Sequence, residues 1–149
     1  MKEQTKSSTN KTKRLSIAKQ TFYVQVPIYN CKVWFYFNST FGLKDWAKEK
    51  FNVNLDEAFY AGKATAISYD LENAGRPGHL LVAIDNPEEC CENRDAFISY
   101  LVHETLHTAI TILENRGIPV NAENDEVLAY LQQFLFENAL KEADAIDAK

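Results

Sequence analysis

The apolar positions of this chain change period three times, and each change marks new elements. Phe22–Val26 and Lys32–Phe37 are short runs rich in β-branched and aromatic residues, which suit a pleated, half-buried surface and predict two strands. Pro27-Ile28-Tyr29-Asn30 between them suits a hairpin turn. Leu43, Trp46, Ala47 and Phe51 then recur at helical spacing and predict a short amphipathic helix, with Ser39 or Thr40 as its cap. Strand patterning returns at Lys63–Tyr69 and His79–Asp85, joined through the turn segment Gly75-Arg76-Pro77-Gly78. From Ala96 to Leu113 the period is helical again, and Phe97, Ile98, Leu101, Val102, Leu106, Ala109, Ile110 and Leu113 give a wide apolar face. Pro87 and the acids Glu88, Glu89 and Glu92 precede this helix, where negative charge suits an N-terminus; Arg116-Gly117 and Pro119 close it. A second helix follows, capped by Asn121 or Asn124, with Val127, Leu128, Tyr130, Leu131, Phe134, Leu135 and Ala139 as its buried side. The order predicts an α+β domain in which a small antiparallel or mixed sheet packs on the last two helices.

Composition sets the limits. At 149 residues, 46% of them apolar, the chain suits one domain with a substantial core. No apolar stretch approaches the roughly 20 residues that span a bilayer, and no secretory apolar region is visible, so a cytoplasmic setting is expected. Residues 1–20 are polar and carry six Lys/Arg against one Glu, and read as a disordered basic tail; residues 21–145 then form the domain. The tail can touch nucleic acid weakly or an acidic partner, or serve as a solvated leader. The acidic body has no recognised nucleic-acid motif, which argues against nucleic acid as the main partner. Cys31, Cys90 and Cys91 have no metal-type spacing and read as reduced thiols.

The candidate chemistry lies in the long helix. His103-Glu104-Thr105-Leu106-His107 is an H-E-x-x-H sequence. Residues i and i+4 stack on one helix face, so both imidazoles can reach one zinc ion. Glu104 is one step round, within reach of a water on that ion as its general base. A catalytic zinc needs a third protein ligand. Ile110 and Leu113 stand where the extended pattern H-E-x-x-H-x-x-G-x-x-H needs Gly and His, which excludes that solution. A Glu from the following helix is the other. Glu126 shares a line with Tyr130 and Phe134 and is expected on the core side; Glu123 is the rival ligand. Tyr130, one turn beyond Glu126, reads either as an oxyanion donor or as a core tyrosine with a satisfied hydroxyl. Tyr100 and His79 carry the same two readings, with a surface role favoured for His79.

From about Gly62 to Leu140 the chain resembles the gluzincins, whose third ligand is a Glu on the helix after H-E-x-x-H. Glu126 lies nineteen positions after His107, a comparable separation. More closely it resembles short phage- or prophage-type zinc metallopeptidases of that group, through the second hairpin, the H-E-x-x-H helix, the Gly117-Ile118-Pro119 connection and the E-x-x-A-Y segment at Glu126–Tyr130. The resemblance implies a minimal zincin-like fold, with zinc on His103, His107 and Glu126 and Glu104 activating a zinc-bound water. It also implies a peptide or protein substrate lying as an added strand on the edge of the second hairpin. The chain departs from the large gluzincins in having no room for their lower lobe and no match to their transition-state histidine. Two functions follow: a zinc-dependent peptide hydrolase, or a non-catalytic phage structural or host-interaction protein that keeps the fold and the zinc, in the host cytoplasm or in the virion.

Overall fold

The computed structural model describes residues 14–55 and 65–148. A four-stranded mixed sheet is assembled in the order β2-β3-β5-β4 from β2 (Thr21–Val26), β3 (Cys31–Tyr36), β4 (Ala66–Asp70) and β5 (His79–Ile84). Two antiparallel hairpins, β2-β3 and β4-β5, are joined by a parallel pairing of β3 with β5. Side chains alternate across a strand, so the sheet has two apolar faces. Phe22, Val24, Val26, Val33, Phe35, Leu80, Val82 and Ile84 point to one side and pack on helices α3 (Arg94–Asn115) and α4 (Asp125–Ala143). Tyr36, Leu81 and Ala83 point to the other and are covered by Leu43, Ala47 and Phe51 of α1 (Leu43–Phe51). The result is α1, sheet, then α3 with α4, each layer burying the apolar stripe of the next. Among the described residues no helix is long and apolar enough to cross a membrane.

Local chemistry explains the helix ends. Asn93 is the N-cap of α3, its side-chain oxygen accepting from the Ala96 amide at 3.0 Å. At the other end Gly117, at φ 68°, turns the chain back: its amide donates to Glu114 O at 3.0 Å and the Ile118 amide to Leu113 O at 2.9 Å. This pair of bonds is the Schellman closure. Glu88 and Glu89 belong instead to a separate short helix, α2 (Pro87–Cys90), and only Asp95 sits in the first turn of α3. Neither Ser39 nor Thr40 caps α1; the Thr40 amide and hydroxyl donate to Asp85 Oδ1, tying the start of α1 to the end of β5.

One part of the expected tail is structured. β1 (Arg14–Ile17) pairs antiparallel with β6 (Ala145–Ala148), so the body extends beyond 21–145 at both ends. Leu15 and Ile17 are the reason: they alternate, and both are buried in the α3/α4 core. The Ile17 amide also donates to Glu88 Oε1 at 2.7 Å. Residues 18–20 of the expected tail are also held, the Ala18 and Lys19 amides donating to Ala143 O; residues 1–13 and the first two positions of the strand expected at 63–69 lie outside the described residues.

Candidate functional site

Helix α3 presents two different surfaces within the H-E-x-x-H segment. Phe97, Leu101, Thr105, Thr108, Ala109 and Ile112 form its buried stripe, and Glu104 is buried with them at 6% exposure. The Thr105 and Thr108 hydroxyls donate back to the Leu101 and Glu104 carbonyls, which lets polar residues sit on the core side without orphaned donors. His103 and His107 lie on the open side. Their Nε2 atoms approach to 3.1 Å, with ring centroids 4.7 Å apart.

That separation is a hydrogen bond between the two imidazoles, one donating and one accepting. It is also near the roughly 3.3 Å between two nitrogens that each lie roughly 2.05 Å from one tetrahedral ion, so the pair fits a cation with little movement. The buried carboxylate beside them fits the same chemistry. Among the described residues nothing donates a hydrogen bond to the Glu104 side chain, a costly state for a buried polar group. Burial pushes its carboxyl above the usual carboxylate range, and the His103 and His107 imidazoles partly counter this. A cavity of about 370 Å³ opens over it, lined by Thr65, Ala66, Ser99, Tyr100, His103 and Glu104. Ala66 begins β4, an edge of the four-stranded sheet, so the cavity lies between that edge and α3.

The other expected site residues lie elsewhere. Glu126 is exposed in the first turn of α4, not on its core side. The line Glu126, Tyr130, Phe134 pointed to the core because two of its members are aromatic, but Tyr130 is 66% and Phe134 38% exposed. The core stripe of α4 runs through Leu131, Leu135 and Ala139 instead. Helix α4 meets α3 at Val102, whose carbonyl accepts from Gln132 Nε2 at 3.1 Å, and His103 is about 100° further round α3. Glu123 is exposed as well, in the turn where Asn121 Oδ1 accepts from its amide. Among the described residues no three His, Cys, Asp or Glu side chains gather as a metal-binding group.

Tyr130 lines a different feature, an apolar groove of about 560 Å³ formed with Ile28, Tyr29, Val127 and Phe134. The phenol that shares the cavity with Glu104 is Tyr100, whose signal in the sequence is its place four residues before Glu104 on the same helix. His79 is on the α1 face of the sheet, across from α3. Its Nδ1 accepts from Trp34 Nε1 at 2.9 Å, and its ring stacks on that indole. The carboxyl of Glu72 is held below its usual range, first by its hydrogen bonds from Arg116, and this pair clamps the α3 C-terminus to the turn before β5. No family model, curated protein or solved structure matches this chain.

Proposed function

We propose that the chain is a zinc-dependent peptide hydrolase built on His103, Glu104 and His107. The observation that carries this reading is a buried carboxylate with no hydrogen-bond donor among the described residues, next to two imidazoles whose Nε2 atoms lie 3.1 Å apart. His103 and His107 would hold the ion; Glu126, exposed on α4 and not gathered with them among the described residues, is the third ligand the resemblance implies, and its part is what the variants below test. Zinc bound there supplies a Lewis acid for a scissile carbonyl and acidifies water. Glu104 takes the proton from the attacking water and passes it to the leaving amine nitrogen. Its burial suits the first step, because a raised pKa makes the carboxylate a stronger base. Tyr100, at the cavity wall, would donate to the developing oxyanion in place of Tyr130. An extended peptide would add to the edge strand β4, whose outer backbone groups face away from β5.

The decisive measurement is zinc content of the full chain together with cleavage of a peptide library. One zinc per chain is expected, lost in His103→Ala and His107→Ala. Affinity should fall in Glu126→Ala and hold in Glu123→Ala. Glu104→Gln should keep the zinc and abolish cleavage, since a general base contributes roughly 10²–10⁴-fold. Protein that cannot be loaded with zinc refutes the reading. The exposed groove around Ile28, Tyr130 and Phe134 favours a second reading, a zinc-holding interaction protein of phage or host-contact type. That reading gains if Glu104→Gln is silent in the organism while His103→Ala is not.

A further inference from the structure

The α1 face of the sheet carries a second cluster that the hydrolase reading does not use. In register across β2, β3 and β5 runs the row Tyr23–Trp34–Leu81, and beside it, nearer the turns, the row Gln25–Lys32–His79. Helix α1 covers the inner end of these rows with Phe51 and Trp46, and leaves Tyr23 47% exposed. The Tyr23 and Trp34 rings lie 4.9 Å apart. Lys50 Nζ rests 4.4 Å from the Trp34 ring centroid, and Lys32 Nζ 4.7 Å from that of Tyr23. Neither lysine pairs with a carboxylate among the described residues. Arg76, exposed on the turn before β5, adds a third cation beside His79, whose amide donates to the Arg76 carbonyl at 3.3 Å. Because His79 Nδ1 accepts from Trp34, the neutral ring carries its proton on Nε2, a donor at the wall of a polar cleft of about 480 Å³ that Lys32, Gln25 and the Glu72–Arg116 ion pair also line.

We propose that this aromatic and basic face binds single-stranded nucleic acid, with bases stacked on Tyr23 and Trp34 and phosphates held by Lys32, Lys50 and Arg76. Charge complementarity selects the partner: three cations without carboxylate partners among the described residues gather in a chain whose net charge is −5. Flat rings select its form, because only an unpaired base offers a free π-face to an aromatic side chain. Lysines resting on rings are already placed to exchange a ring for a phosphate.

The chain's two tryptophans, Trp34 and Trp46, both sit in this cluster, so intrinsic fluorescence reports on it directly. Titration of the full chain with oligo-dT and oligo-rU at low salt should quench that fluorescence saturably, and added salt should reverse it. Tyr23→Ala and Lys32→Ala should each weaken binding about tenfold with the far-ultraviolet spectrum unchanged. Removing residues 1–13 should leave affinity within about threefold, because the stacking platform is intact. Absence of binding at low salt overturns the proposal. So does equal affinity for duplex, or binding that disappears with residues 1–13 while Tyr23→Ala binds normally.

Discussion

Replacing Glu104 by Met should make the apo-protein more stable, and this is the sharpest test of why a carboxylate sits in the core of α3. Glu104 is 6% exposed, and no described residue donates a hydrogen bond to its side chain. Burying an unsatisfied polar group costs about 1–3 kcal/mol by mutational measures. Met has a comparable unbranched length and good helix propensity, so it fills the same space without that cost. The expected gain is about 1–3 kcal/mol, and in a chain of this size that raises Tm by about 2–10 °C. The assay is thermal and urea unfolding of wild type, Glu104→Met and Glu104→Gln, all with a chelator present so that metal linkage does not contribute. A residue retained for chemistry at the expense of stability behaves in this way. A fall in Tm of several degrees in Glu104→Met would show instead that Glu104 makes a stabilising contact in the fold.

Three further outcomes are expected. Glu72→Gln should cost about 1–3 kcal/mol at neutral pH, since Glu72 accepts from Arg116, Asn115 and the Gly78 amide. Arg116 depresses the folded pKa of Glu72, so this contribution is present above the unfolded carboxylate range of about 4.3 and fades as pH falls through the lower folded value; unfolding curves compared at neutral and strongly acid pH check it. Removing residues 1–13 should leave the unfolding midpoint unchanged, whereas removal through residue 20 should cost about 3–5 kcal/mol, because Leu15 and Ile17 leave the core. Asn93→Ala should cost about 1 kcal/mol by deleting the cap bond to Ala96, with amide exchange rising first in the opening turn of α3.

The elements and the first part of the site were legible in the order of residues alone. The runs Phe22–Val26 and Lys32–Phe37, the spacing of Leu43 with Ala47 and Phe51, and the apolar face from Phe97 to Leu113 follow from backbone periods of two and 3.6, which depend only on neighbours in the chain. The placing of His103 and His107 one turn apart on a single helix belongs to the same class of information. Tertiary structure decided whatever depends on partners far along the chain. The parallel pairing of β3 with β5 and the closure of β1 on β6 bring together segments whose fit is set by the whole core, and no local signal marks them. The same holds for direction around a helix. Glu104 is buried and Glu126 exposed because the stripe that packs on the sheet is chosen by how α3 and α4 dock. That docking puts Tyr100 rather than Tyr130 in the cavity of Glu104, and turns His79 to the opposite face of the sheet, where Trp34 fixes its tautomer. Local geometry is written in the order of residues; the sharing of buried area among distant segments is settled only when they meet.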